Sequence, residues 1–408
     1  MEIASFVKVI AQSCIAEQKV GTPRYVMLPT SSEKAARDAH LSRPTILVTS
    51  GGSLVGKTVL DCLEGRRSGV RLVACNAAKD SPSLFRYDSF HIVPLTGAGG
   101  WEAAMTAVIK AEAPAVVIPG RDTDVDALAD LAARQPELAK AFTGGSARMA
   151  RVIVDKAETA RFAAEHGLAF APTVSTDDEG THAAAAALAN TYGFPLIAKP
   201  AQGRGSLGVR VVTCEAQLHV ATGLPGIIIQ PFLDCPPASD LELDTSAGIP
   251  LFWEVAEDRL YSVQFLIDRA GGILGHNIQR ARLVLGRVEE VWTYENEALF
   301  AVAHAFAVKA AQQGWRGPLN VQAKRADAAG TCWKVIELNG RFSGGTSCRL
   351  HLGFDEVAMI INEWVGRPVV GQLNTVPVRH IIRELTDYPV RDTDGYCQSR
   401  ELGQINAE

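Results

Sequence analysis

No two of the eight cysteines (Cys14, Cys62, Cys75, Cys214, Cys235, Cys332, Cys348 and Cys397) form a Cys-x-x-Cys pair. That scatter argues against a zinc site or a disulfide framework and predicts reduced thiols in a cytoplasm. A basic excess is missing too. The 40 Lys and Arg stand against 45 Asp and Glu, a net charge of −5, which leaves no electrostatic footprint for nucleic acid. No apolar run approaches the roughly 18 residues of a membrane span. Met1 to Cys14 has no basic stretch leading into an apolar core and a small-residue cleavage site, so no signal peptide is expected. What is present is an ordinary globular composition, 47% hydrophobic and 21% charged over 408 residues. At roughly 100–200 residues per domain, that length predicts two or three domains.

Residues 1–42 read as an N-terminal helical extension with a polar connector. Three short apolar runs follow, at 45–50, 70–75 and 115–119, separated by helical stretches at 54–63 and 101–113. Buried strands alternating with helices predict a doubly wound parallel sheet over about 43–145. A helix from Asp155 to His166 comes next, ended by Gly167, then an alanine-rich helix from Thr181 to Tyr192. Residues 194–199, 209–213 and 226–230 read as strands. Residues 234–259, rich in proline and acid, read as an irregular insertion. Leu260 to Asp268 alternates polar and apolar and meets Gly271-Gly272, which predicts a hairpin with 273–284. A helix over 297–314 and two strands, 319–324 and 332–338, complete the pattern.

Three segments carry candidate chemistry. Gly51 to Thr58, Gly-Gly-Ser-Leu-Val-Gly-Lys-Thr, fits the P-loop pattern between a strand and a helix. There Lys57 would meet phosphate and Thr58 a magnesium ion, but the same glycines also serve any tight strand-to-helix turn. The second segment is Lys199 followed by Gly203-Arg204-Gly205-Ser206-Leu207-Gly208. A lysine ends a strand, and a glycine-rich loop can close its amides over a triphosphate. A solvated surface hairpin is the plainer reading. The third is Glu337-x-Asn339-x-Arg341. Residues spaced by two share one face of a strand, with Ile336 and Leu338 then directed into a core. Glu337 and Asn339, joined by Gln322 from the preceding strand, offer the oxygen ligands that magnesium prefers. Arg341 can neutralise a transferring phosphoryl group. The donor-rich loop Ser343-Gly344-Gly345-Thr346 suits an anionic intermediate or a substrate carboxylate, with Arg349 and His351 as further candidates.

These elements, in this order, resemble the ATP-grasp superfamily across about residues 43–370. The segments Asn320-Val321-Gln322 and Ile336 to Ser343 are most similar to the carbamoyl-phosphate synthetase large-subunit branch. The resemblance implies a Rossmann-like pre-ATP-grasp domain (43–145), a small lobe with a glycine-rich lid (146–235), a large lobe with the metal site (236–370) and a C-terminal extension (371–408). It implies that Lys156 and Lys199 contact ATP and that residues 203–208 form the lid. Gln230, Pro231, Phe232 and Leu233 become the hinge strand that reads adenine. Gln322, Glu337 and Asn339 bind two Mg2+ ions, with Mn2+ as the alternative ion, and Arg341 steadies the phosphorylated intermediate. Arg280 or Arg282 becomes a weaker candidate contact to phosphate or substrate. Two departures stand out. Leu260 occupies a position where family members usually carry glutamate, and Gly340 replaces a common proline, which predicts a looser turn.

A single unit without duplicated halves resembles a stand-alone carboxylate–amine ligase. The expected partners are a small-molecule carboxylate and an amine, with neither nucleic acid nor membrane, and a homodimer is one assembly the sequence allows. Three alternatives stay open: a bicarbonate- or carbamate-phosphorylating enzyme, a P-loop NTPase working through Lys57, and a nucleotide-binding regulator without chemistry.

Overall fold

The computed structural model describes residues 43–203, 207–234, 257–284, 287–327, 329–373 and 376–384. The N-terminal extension, most of the 234–259 insertion and the end of the C-terminal extension lie outside the described residues.

The first layer is a parallel sheet of β1 (Thr45–Val48), β2 (Arg71–Asn76), β3 (Ser89–Ile92) and β4 (Val116–Ile118), in the order β3-β2-β1-β4. Helices α1 (Leu54–Leu63), α2 (Trp101–Glu112) and α3 (Asp122–Arg134) connect or follow these strands. The strands read as near-continuous apolar runs because both their faces are covered. Ile46, Val48, Leu72 and Ala74 join one core, and Leu47, Val73 and Val117 join another. β3 and α3 were not anticipated. The acidic first turn of α3 and Arg134 in its last turn are the helix-end signals that would have identified it.

Two short helices, α4 (Ala147–Val154) and α5 (Lys156–Glu165), lead into a small antiparallel sheet. It holds β5 (Val174–Ser175), β6 (Leu196–Pro200), β7 (Arg210–Val212) and β8 (Ile227–Pro231) in the order β5-β8-β6-β7. Helices α6 (Thr181–Tyr192) and α7 (Glu215–Thr222) cover one face of it through Ala185, Leu188 and Leu218. Asp155 caps α5, its carboxylate accepting from the amides of Ala157 and Glu158.

The largest sheet has six strands in the order β13-β12-β9-β10-β11-β14. They are β9 (Glu257–Ile267), β10 (Ile273–Val284), β11 (Arg287–Thr293), β12 (Gly317–Arg325), β13 (Trp333–Asn339) and β14 (His380–Ile382). The end of the expected insertion is therefore already strand. Helix α8 (Glu297–Gln312) packs on one face, burying Tyr261, Val263, Phe265, Val321, Trp333, Val335 and Leu338. Helices α9 (Thr346–His351) and α10 (Glu356–Val365) lie beyond the other face. Phe342, with no exposed surface, shares a core with residues of α1, β1 and α10.

Two substitutions probe this packing. Phe342→Ala is expected to cost about 3–5 kcal/mol through a cavity between the first layer and α10. Arg349→Met, which would leave the Glu356 carboxylate buried without its cation, is expected to cost a similar ~3–5 kcal/mol. Urea denaturation of each variant measures both, and a loss under 1 kcal/mol would contradict the corresponding assignment.

Candidate active site

Strand alternation builds the site. Along β9, Tyr261, Val263 and Phe265 face α8 and are buried in its core, so Ser262 and Gln264 face the other way. β12 repeats this: Val321 and Ala323 face the core, while Asn320, Gln322 and Lys324 face away. The register sets Glu337 directly opposite Gln322, and Asn339 opposite Asn320. An antiparallel sheet often leaves its polar face to solvent. Here Ser262, Gln264, Gln279, Asn320, Lys324 and Asn339 are all buried. A polar face that is also buried is the mark of a ligand-facing surface.

Ile336 does not enter the core. The pairing skips a residue between Gln322–Glu337 and Ala323–Val335, so Ile336 is the extra residue of a β-bulge. The bulge lets Val335 lie in the core while Glu337 faces the site, and it frees the Ile336 carbonyl. That carbonyl accepts a hydrogen bond of 3.3 Å from Lys199 Nζ. Lys156 Nζ lies 3.7 Å from Glu337 Oε1. Lys156 and Lys199 come from α5 and β6, and Glu337 from β13, so the two lobes meet at this cluster. Burial brings the Lys199 pKa down to about 8; Glu337 opposes this, and the positive charges of Lys156 and Lys324 add to it. Lys324, missed in the sequence, was detectable there, since alternation from Gln322 puts it on the same face.

Glu337, Gln322 and Asn339 form an all-oxygen donor set, as a hard divalent ion requires. Among the described residues no group of three His, Cys, Asp or Glu could hold a metal. A single carboxylate with two amide oxygens therefore fits an ion whose remaining ligands come from phosphate or water. Asn339 Oδ1 also accepts from Arg341 Nη2 at 3.1 Å, and the same guanidinium pairs with Asp122 at 2.6 Å. Asp122 opens α3 in the first layer; at a separation of 219 residues, no local pattern could have linked it to Arg341. The turn at Gly340 is not loose: a Cβ there would overlap the Trp315 ring.

Several expected site residues sit elsewhere or act differently. Arg280 and Arg282 are corrected. Arg280 pairs across from Tyr261, on the face opposite Gln279, and lies 4.5 Å from the centroid of the Trp292 ring. Arg282 is bound at 2.6 Å to Glu290. The parity of β10 turns both away from Glu337. Arg349 is fully buried and bonded to Glu356, Ser343 Oγ and Thr346 Oγ1, so it shapes the 343–346 loop from behind. Burial raises the Glu356 pKa against the pull of Arg349. Gln230 donates to Thr173 Oγ1 at 2.9 Å, while Phe232 and Leu233 continue toward Asp234, whose carboxylate binds Arg325. Gly203, Leu207 and Gly208 are described at the ends of the glycine loop, and Gly208 has a φ of 77°, a left-handed conformation suited to glycine. Arg204, Gly205 and Ser206 lie outside the described residues.

The P-loop pattern does not form a cradle. Ser53 caps α1, and the Lys57 amide already bonds to the Ser53 carbonyl, so Gly56, Lys57 and Thr58 lie inside the helix. Lys57 Nζ pairs with Asp61 at 2.7 Å, and Thr58 is fully buried. Lys57→Ala is accordingly expected to leave nucleotide affinity within about twofold and stability within ~1 kcal/mol, the scale of a partly exposed pair. Lys199 behaves oppositely. A phosphate held by Lys199 would require its protonated form, so above pH 8 such binding would take up a proton. ADP affinity is expected to be level below about pH 7 and to fall by up to ~10-fold per pH unit above 8. Calorimetric titrations across pH check this; a constant Kd up to pH 9.5 would take Lys199 out of the phosphate site.

Comparison with known proteins agrees with this geometry. Residues 155–223 match the family model described as carbamoyl-phosphate synthase L chain, ATP binding domain. Mitochondrial pyruvate carboxylases of Rattus norvegicus and Homo sapiens are each 24% identical over 247 residues, covering 55% of this chain and 20% of theirs. The chain thus spans about a fifth of the length of these curated relatives. Among solved structures, the biotin carboxylase domain of Hydrogenobacter thermophilus 2-oxoglutarate carboxylase has a TM-score of 0.58 at 15% identity, covering 82% of this chain and 72% of that one. N5-carboxyaminoimidazole synthetase from Staphylococcus aureus, complexed with ADP, also has a TM-score of 0.58, at 12% identity, covering 83% and 80%. Likeness of that extent at such low identity establishes the fold, and residues 155–223 are similar in sequence to the ATP-binding domain of the carbamoyl-phosphate synthase L chain.

Proposed function

We propose that the chain is an ATP-dependent ligase that activates a carboxylate as an acyl phosphate for attack by a nitrogen nucleophile. The observation that carries this reading is the convergence of Lys156 and Lys199 on Glu337, at the edge of a buried polar sheet face. Two ammonium groups beside one carboxylate favour a polyanion. Lys156 and Lys199 are both buried, which strengthens each charge interaction.

Each part has a task. Lys156 and Lys199 hold nucleotide phosphates. Glu337, Gln322 and Asn339 would hold Mg2+, which supplies charge neutralisation on the phosphate oxygens when bound. Arg341, oriented by Asp122 and Asn339, meets the charge on the transferring group. The γ-phosphoryl passes to a carboxylate oxygen as its bond to the ADP oxygen breaks. The nitrogen then attacks the acyl carbon and inorganic phosphate leaves. The 343–346 loop, fixed by Arg349, lines the acyl side.

Bicarbonate as the activated acid is the second reading, favoured by the structural likeness to the Hydrogenobacter domain, which was crystallised with MgADP and bicarbonate. Incubation with MgATP, hydroxylamine and a panel of carboxylic acids separates the two. A hydroxamate identifies the acid, whereas ADP release dependent on bicarbonate alone identifies the second reading. Glu337→Ala is expected to lower ADP formation at least ~100-fold, about 2.7 kcal/mol of transition-state stabilisation, with the melting temperature retained. Full turnover by that variant would falsify the metal-site assignment.

A further inference from the structure

Beyond the small lobe the chain leaves β8 at Pro231, runs through Phe232 and Leu233, and is tied to the large lobe at Asp234. The φ of Asp234 is 53°, in the left-handed region. Positive φ is uncommon outside glycine; Asp tolerates it better than most, and it persists where the surroundings fix it. Two arginines of the large lobe do so here. Arg325 Nε and Nη2 donate to the two carboxylate oxygens of Asp234 at 2.9 and 2.8 Å, a forked pair. Arg259 Nη1 lies 3.5 Å from Oδ1 of the same carboxylate, and the Asp234 side chain is only 7% exposed. Ala323 on β12 pairs with Tyr261 on β9, so Arg325 and Arg259, each two residues further along, stand side by side at the rim of the sheet. Like charges so placed repel, and the Asp234 carboxylate holds them together.

The small lobe holds the other end of this segment. The Gln230 side chain, itself buried, donates to Thr173 Oγ1 at 2.9 Å, and the Phe232 amide donates to the Pro195 carbonyl at 3.4 Å. Phe232 and Leu233 are thus drawn between two anchors, one in each lobe. Both are partly exposed, which leaves apolar surface for a flat ring. β8 pairs with the strand that carries Lys199, with Lys199 opposite Ile228. Phe232 lies four residues beyond Ile228, roughly 13 Å along the strand, which is about the reach of a nucleotide from its phosphates to its base.

We propose that Asp234 is a positioning residue for the nucleotide base: gripped by Arg325 and Arg259, it fixes the course of Phe232 and Leu233 and with it the affinity and selectivity for adenine. The inference rests on the nucleotide site of the ligase reading and adds the residues that hold its base end. Asp234 acts through the backbone, since both its carboxylate oxygens are engaged by arginine. Arg325 lies opposite Trp333, on the side of the sheet that packs against α8, whereas Gln322 and Lys324 face the other way. Breaking the pair therefore releases the base end and leaves the phosphate end as it is.

The test uses wild type, Asp234→Asn, Asp234→Gly, Arg325→Gln and the double variant of Asp234→Asn with Arg325→Gln. Melting temperatures are recorded, and ADP, GDP and tripolyphosphate are titrated calorimetrically in the presence of Mg2+. Wild type is expected to bind ADP at least tenfold more tightly than GDP. Each single variant should lose at least tenfold in ADP affinity, with GDP and tripolyphosphate within twofold of wild type. Asp234→Gly keeps the left-handed backbone and removes the carboxylate, so its loss reports the ion pair rather than strain. The double variant should bind ADP no more weakly than Asp234→Asn, since both changes break one pair. Wild type without preference for ADP, unchanged ADP affinity in Asp234→Gly, equal losses for all three ligands, or additive losses in the double variant each overturn the inference while the nucleotide site stands. No binding of ADP, GDP or tripolyphosphate to wild type overturns the nucleotide site and the inference together.

Discussion

Everything in this site depends on a sheet face that is polar and buried at once. A strand cannot place neighbouring side chains on the same side, so each apolar residue that β9 and β12 give to the α8 core fixes a polar residue on the opposite face. Val263 and Val321 are buried, and Gln264 and Asn320 stand where they do as a result. Hydrophobic burial on one side thereby positions hydrogen-bonding groups on the other, without any loop having to hold them. The lysines arrive from a separate lobe, which lets the cationic wall and the oxygen-bearing wall be built independently.

Much of this was readable from spacing. The alternation in Tyr261-Ser262-Val263-Gln264-Phe265 and in Asn320-Val321-Gln322-Ala323-Lys324 predicts both strands and both faces. Glu337 and Asn339 are likewise on one side because they are two apart. The parallel first sheet followed from three apolar runs punctuated by glycine. What could not be read was long-range partnership. Asp122 meets Arg341 across 219 residues of sequence, a pairing that only the fold brings about. The resemblance implies Arg280 and Arg282 as contacts from a strand beside the site, but the pleat of β10 turns them to the other face. The P-loop pattern failed for a local reason: a Ser cap at 53 starts the helix early and uses the amides that a phosphate would need.

Charge is distributed with similar economy. Lys199 is desolvated enough that its proton is lost near pH 8, yet its ammonium has a carbonyl acceptor and a nearby carboxylate. Arg341 is held by an acid from the first layer and an amide from β13, so its guanidinium is oriented before any ligand arrives. Such pre-organisation would lower the reorganisation that the proposed phosphoryl transfer requires. On that proposal the first layer contributes through Asp122, although the lysines assigned to phosphate come from other parts of the chain.

The extra residue at Ile336 acts on β13 as a frameshift acts on a message. Upstream, odd-numbered positions are apolar and read into the core; downstream, the even-numbered Leu338 does so. A strand without the shift would have to choose between burying Val335 and presenting Glu337. Excising Ile336 would restore a regular pleat and keep both frames legible, but it would erase the carbonyl that anchors the lysine from the other lobe. The irregularity is thus the point at which the chain changes its grammar from packing to chemistry.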